Sequence, residues 1–393
     1  MIDLLLYTLV GVLLGCLAGL IPGLHSSNLS LLLTSFGLAT SQYSLVFLII
    51  GIEVSYAFFQ FLSPILFGIS DDLAALSIDD DHYFVVKNLV DRAVKIIATG
   101  GVVGVLISFP LMFFSQKIYP LVYGSIKPLV GWLLLIVCIY IFWTEKTWKK
   151  KFFAVIIFLV SGIFGTIIKN SGFIPDTYLF LPVFLGLFGF SSIIARKPRA
   201  TEIIYEIPAK QKIRISFTSF LSSLFASLIP GVKRSQAAAI ALETGKIGQS
   251  EERLFALSVV SLSCMMLSIL VLDSTGSVRS TLAYEINDII GEMYFNKTLL
   301  LIGCLALAAS LSSILMLLSA NPLNKILSKV DKKYLKVFGF AMGLILITYF
   351  TGWKGLLLAF TATCIGILAI LLRIRSTYLM GVLLLPSIIG MLM

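Results

Sequence analysis

The chain has 393 residues, of which 58% are hydrophobic and 13% charged, and its formal net charge is +10. Soluble domains run at roughly 45–50% apolar and about 25% charged residues, so a mean hydropathy of +1.01 excludes a water-soluble fold. The positive balance sits in short loops between apolar stretches, which points to membrane topology and not to nucleic acid.

Stretches that approach or exceed the roughly 17–25 apolar residues needed to cross a bilayer recur along the chain. The first runs from Leu4 to Phe36 and is broken at Pro22-Gly23. Asp3 is the only charge ahead of it, so this segment is expected to be retained and not cleaved as a signal. Spans follow at Leu45 to Phe67, Ile96 to Phe114, Val130 to Trp143, Phe152 to Ile168 and Tyr178 to Ala195. After a basic stretch comes Ile215 to Ala241, broken at Pro230-Gly231. Leu254 to Leu272, Leu299 to Leu318, Val337 to Phe350, Trp353 to Leu372 and Leu379 to Met393 complete the second half. The expected fold is an all-α polytopic membrane bundle. It has an N-terminal half (1–195), a basic cytoplasmic linker (196–214) and a C-terminal half (215–393).

The two breaks are copies of one motif. Leu17-Ala-Gly-Leu-Ile-Pro-Gly-Leu-His-Ser-Ser-Asn28 recurs without a gap as Phe225-Ala-Ser-Leu-Ile-Pro-Gly-Val-Lys-Arg-Ser-Gln236. The same displacement carries Gly37 onto Gly245 and Ser41-Gln42 onto Gln249-Ser250. Hydrophobic segments interrupted at corresponding places in two halves mark the binding site of a secondary transporter. Lys and Arg concentrate at Lys146 to Lys151, Arg196 to Arg214, Lys325 to Lys336, and Arg373 with Arg375, all expected on the cytoplasmic face. The span count keeps them there only if each broken segment enters and leaves on one face. The first then opens from outside and the second from the cytoplasm, which makes the repeats inverted.

The chemistry of the breaks follows from their position. A half-helix that starts inside a membrane has unpaired backbone N–H groups and a positive dipole end, which suit an anion. The predicted substrate site is His25, Ser26, Ser27 and Asn28 with Lys233, Arg234, Ser235 and Gln236. The competing explanation is that these side chains only cap kinked helices, with Lys233 and Arg234 reaching lipid phosphate. Pro22, Gly23, Pro230 and Gly231 are the structural breakers. Glu53, at mid-span with Ser55 beside it, is predicted to couple a cation together with Asn28 and Ser263. A purely structural ion pair is its alternative.

These residues resemble a family. Gly15, Gly19, the Pro22-Gly-Leu-His25 turn, Asn28, Gly51-Ile-Glu-Val-Ser-Tyr56, Phe67-Gly68, Asp71-Asp72 and Ala75-Leu-Ser77 are similar to the large membrane subunit of tripartite tricarboxylate transporters. Ile229-Pro-Gly231, Ser235-Gln-Ala237, Ser261-Leu-Ser263, Arg279-Ser280, Met380-Gly381 and Leu385-Pro386 extend the likeness, nearest to a stand-alone archaeal branch. The resemblance implies import of citrate-like carboxylates driven by an ion gradient, in bacterial members with a periplasmic binding protein and a small membrane subunit. His25-Ser-Ser and Lys233-Arg234 depart from the glycine-rich turns of bacterial members. Paired Pro-Gly turns are also similar to those of polyprenyl-phosphate translocases, so recycling of a lipid-carrier phosphate is the alternative function.

The expected partners are therefore a small organic anion or a lipid-linked phosphate, membrane lipid, and a coupling sodium ion or proton. No other cofactor and no nucleic acid is expected, and homo-oligomers and accessory subunits stay open. The acidic residues at Asp71-Asp72 and Asp79-Asp80-Asp81-His82 lack calcium-loop spacing, so no metal site is expected. An intramembrane enzyme is the competing class, with Glu53 and His25 as its one candidate reactive pair.

Overall fold

The structure, a computed structural model, describes residues 2–21, 26, 29–30, 41–67, 73, 76, 84, 89–126, 129–143, 145, 147–175, 178–195, 206–229, 232–291, 295–329 and 332–392. All regular structure among them is helical. The first half holds α1 (Ile2–Leu20), α2 (Gln42–Phe59) with its short extension α3 (Leu62–Phe67), and α4 (Val90–Ser108). It continues with α5 (Ser115–Ile126), α6 (Val130–Trp143), α7 (Trp148–Ser171) and α8 (Phe180–Ala195). The second half holds α9 (Ala209–Leu228), α10 (Arg234–Thr244), α11 (Ser250–Thr275) and α12 (Thr281–Ile290). The chain ends with α13 (Phe295–Lys329), α14 (Lys332–Leu371) and α15 (Gly381–Leu392).

Seven of the described helical segments are long and apolar enough to cross a membrane. Most of the predicted spans lie on these seven, whereas Val130 to Trp143 coincides with α6, a shorter apolar helix like those that carry Tyr178 to Ala195 and Leu379 to Met393. Ile215 to Ala241 falls on α9 and α10, and Leu4 to Phe36 is described mainly as far as residue 21, on α1. The short helices α5 and α12 were not expected, because neither is a continuous apolar run. The two predicted spans Val337 to Phe350 and Trp353 to Leu372 are the legs of α14, which breaks at Gly352 (φ 62°, ψ −157°). That region of backbone space is open to glycine and strained for other residues.

The two legs of α14 lie antiparallel on α8. Phe350 stacks on Tyr178 at 4.9 Å and Phe340 meets Phe190 at 4.6 Å, so the first leg runs against α8. Gly186 packs on Ala359 and Gly366 on Leu187, so the second leg runs with it. A straight 35-residue helix would measure about 52 Å, well beyond a hydrocarbon core of about 30 Å. Folding back at Gly352 resolves that mismatch.

Two helices form the centre. The apolar stretches of α2–α3 and α11 are 94% and 100% buried, against 39–44% in the other five long segments. Lipid offers no hydrophobic drive between helices, so close packing and interhelical hydrogen bonds hold this centre. Gly11, Gly15 and Gly19 of α1 meet Leu48, Ile52 and Phe59 of α2 in turn, so the pair is parallel and nearly in backbone contact. On the other side, Gly100 and Gly104 of α4 meet Phe255 and Val259 of α11, and Arg92 pairs with Glu251 at 3.7 Å. Ser263 Oγ donates to Gly104 O at 3.0 Å and fastens that crossing.

Helix directions follow from further contacts. Gln211 Nε2 donates to Glu252, which puts the start of α9 beside the start of α11, so these two are parallel. Between them α10 runs back along α9, joined to it where Ser222 Oγ donates to Ala237 O. Gln60 Nε2 of α2 donates to Ser261 Oγ of α11 at 3.2 Å. Two turns earlier on α2, Glu53 lies beside Glu285 of α12, a helix whose cap Ser280 donates to Ser268 Oγ at 2.9 Å. Moving back along α2 is therefore moving forward along α11, and the two central helices are antiparallel. The displacement that carries Pro22 onto Pro230 also carries the end of α1 at Leu20 onto the end of α9 at Leu228. It carries Ser41, the N-cap of α2, onto Gln249, the N-cap of α11.

The α1–α2 seam gives a direct test. A Cβ added at Gly51 would lie 2.6 Å from Thr8 O, whereas one at Gly303 would meet nothing within 4 Å. Gly51→Ala should lower stability by about 1–3 kcal/mol through overpacking. Gly303→Ala should be neutral or stabilising by up to about 1 kcal/mol. Thermal unfolding of the two variants in detergent checks this.

Candidate functional site

The second break is the part of the predicted site that the described residues carry. Its approach helix α9 turns Ser216, Ser219, Ser222, Ser223 and Ser227 inward, a polar stripe at helical spacing on the buried face. Past Ile229 the chain leaves the helix, and α10 begins at Arg234 with Lys233 extended before it (φ −86°, ψ 163°). Gln236 Oε1 accepts from Lys233 N at 2.8 Å and so caps the new helix.

That cap decides what the site can bind. With its carbonyl oxygen engaged, Gln236 offers its amide NH₂, and this Nε2 is buried without a partner among the described residues. Ser235 Oγ and Arg234 Nη1 are likewise buried and unpartnered. Ser219 Oγ on α9 is unpartnered as well, and so is Ser26 Oγ at the first break. An unpaired buried polar group carries a desolvation penalty of about 1–3 kcal/mol, more when charged. These three consecutive residues stand at a helix N-terminus, where donors of this kind suit an anion. One end of the Gln236 side chain thus caps the helix and the other is left as an unpaired donor.

The site lies deep. Arg234 is close enough to the Cys264 thiol on α11 to act on it electrostatically, and Cys264 hydrogen-bonds to Ser223 of α9. Cys264 is near the middle of α11, about 20 Å along it from the helix start, and Arg234 acts at that level. Lys233 is placed differently, with its Nζ 4.1 Å over the Phe180 ring. Of the two predicted cations, Arg234 therefore has the atom left for a ligand.

The predicted coupling residues separate. Glu53 is 1% exposed, its Oε1 has no partner, and it joins no ion pair among the described residues. Ser55 shares a 2.9 Å hydrogen bond with Cys16, and Ser263 is engaged with Gly104 O. These two hydroxyls fasten helices together. His25, Ser27, Asn28, Pro22, Gly23, Pro230 and Gly231 lie outside the described residues.

Two groups escaped sequence reading. Glu285 sits on the buried face of α12 with Leu282 and Ile286. Burial, and next to it the Glu53 carboxylate, pushes its acid up to about 8. Its spacing from Leu282 and Ile286 placed it on the apolar face, a signal that a search for long spans passes over. The other group fixes the far end of α10. Arg375 Nη1 donates to Glu243 Oε2 at 2.6 Å, and its Nε lies 3.4 Å from Glu145 Oε1. Thr377 Oγ1 donates to Glu243 at 2.9 Å and Tyr378 OH to Glu145 at 3.2 Å. One guanidinium thus holds two buried carboxylates, and with them the end of α10 and the chain just after α6.

Comparison with known proteins bears on the same residues. The profile described as "Tripartite tricarboxylate transporter TctA family" matches residues 5–381. An uncharacterized protein of Methanocaldococcus jannaschii is 23% identical over 402 residues, covering 98% of each chain. No solved structure matches.

Arg375→Ala should leave Glu243 and Glu145 buried without their cation. Because Arg375 is about half exposed, the loss should be about 2 kcal/mol, between the ranges for surface and buried pairs. Hydrogen exchange should quicken in α10 while α2 stays protected, and unchanged exchange in α10 would show that the cluster does not hold it.

Proposed function

Because the chain belongs to the tripartite tricarboxylate transporter TctA family, a family of multi-pass membrane proteins of transport, we propose that it moves a di- or tricarboxylate-like anion by secondary transport. The substrate site in this reading lies at the break before α10 and at its counterpart around His25 to Asn28. The observation that carries it is the run of unpartnered buried donors at Arg234, Ser235 and Gln236. A carboxylate would accept from all three, and its charge would offset the desolvated guanidinium. Such donors at mid-depth serve an anion better than a lipid headgroup at the interface.

The mechanism follows from the pairing of helices. α1 with α2 and α9 with α11 are two parallel pairs that run in opposite senses, as inverted repeats of a transporter do. In this reading α9 and α10 form a re-entrant hairpin opening from the cytoplasm. Rocking of one repeat against the other would expose the donors to each side in turn. Glu53 supplies cation coupling, by sodium or a proton, since a carboxyl buried in a membrane span is functional by default. The basic segments next to Glu145 and Arg375 meet at one end of the bundle, which supports placing them on the cytoplasmic face of the plasma membrane.

Purified protein in liposomes should take up citrate under an imposed sodium or proton gradient. Arg234→Ala and Gln236→Ala should reduce citrate affinity roughly 10–100-fold, the equivalent of one lost charge-assisted hydrogen bond. A short-chain polyprenyl phosphate serves as the second substrate. Exclusive response to it would keep the site and replace the carboxylate by a lipid-carrier phosphate. No transport of either by folded protein would remove the reading.

A further inference from the structure

Glu285 is an acid where a helix of its kind ordinarily presents an apolar residue. α12 is short and bracketed by glycines in left-handed conformation, Gly276 (φ 64°) and Gly291 (φ 71°). Its outer face carries the exposed Tyr284, while Leu282, Ala283, Glu285 and Ile286 turn inward. The inward face packs on the central helix α2, and the carboxyl it delivers lies beside Glu53. Glu285 is 7% exposed and Glu53 1%, and each has a carboxylate oxygen without a partner among the described residues, Oε2 and Oε1 respectively.

Two adjacent carboxylates in an apolar enclosure cannot both be ionised without a large penalty. The second charge has to be offset by a proton, a metal cation or a cationic side chain. The titratable and charged groups on the segments that pack about α2 and α12 include Tyr7 and Cys16 of α1, Asp273 of α11, Arg279 in the turn before α12 and Lys297 of α13. Cys16 is engaged with Ser55, and Asp273 accepts from Gln116 Nε2 at 3.3 Å. Sodium needs several oxygen ligands, and nearby Ser55 has its hydroxyl engaged. A proton needs only the two carboxylates.

We propose that Glu53 and Glu285 form one proton-binding site, holding a single proton between them, and that this proton is the coupling cation. The inference deepens the transport reading and rests on it for the word coupling. The site itself stands on the packing of α12 against α2, the burial of both carboxyls and their mutual electrostatic influence. It also adds Glu285 to the functional residues. Burial, and next to it the Glu53 carboxylate, holds the acid of Glu285 up to about 8, so Glu285 carries its proton below that pH and releases it above.

Dicyclohexylcarbodiimide, which adds to buried carboxyl groups in their protonated form, tests this on the full chain in detergent with no substrate present. Peptide mapping should find one adduct per chain at neutral pH, on Glu53 or Glu285, and labelling of Glu285 should be lost as pH rises past about 8. Sodium chloride should protect no better than choline chloride. Glu53→Gln should leave Glu285 labelled but move the loss about one pH unit lower, because the like charge is gone. Specific protection by sodium would overturn the proposal in favour of a sodium site. Absence of labelling at every pH, or a Glu285 profile unmoved by Glu53→Gln, would overturn it as well. Labelling needs no transported anion, so a failure of citrate uptake and a failure of the proton site are separately visible.

Discussion

A helix can be interrupted inside a bilayer only where other protein satisfies the freed backbone groups or where they line a wet cavity. Everything distinctive in this molecule follows from that constraint. The break between α9 and α10 is enclosed because α11 is wholly buried and α9 turns a face of serines toward the interior. Gln236 gives its carbonyl to the first free backbone N–H. The donors that remain are the ones a ligand can use.

The enclosure depends in turn on how closely helices approach. Glycines at positions 11, 15, 19 and 51 bring α1 against α2, and those at 100 and 104 bring α4 against α11. Without these approaches the two central helices would face lipid, and Glu53 would be in hydrocarbon instead of inside the protein. The charge cluster around Arg375 does the corresponding work at the end of the bundle. It ties α10 down where its helix finishes.

The spans were legible because membrane helices announce themselves by length and hydropathy, as Trp148–Ser171 around the predicted Phe152 to Ile168 illustrates. That α9 ends at Leu228 and α10 begins at Arg234 was legible because a proline and a glycine stand between them in the sequence. Lys233 was harder, since nothing in its sequence position said that Phe180, far away in the chain, would take up its ammonium. The same holds for Ser55 and Ser263, whose partners are on other helices. Glu285 was invisible for a different reason. Its helix is too short to register as a span, and only the fold sets it against α2.

The central claim is that the break before α10 is a substrate site open to each side of the membrane in turn. The most direct measurement is the reactivity of a thiol at position 235, using Ser235→Cys with the exposed Cys364 replaced by serine. Membrane-impermeant reagents would be applied from either face of sealed vesicles. The account predicts labelling from both faces, with citrate slowing it on each. Labelling from one face only, or labelling that citrate leaves unchanged, would contradict it.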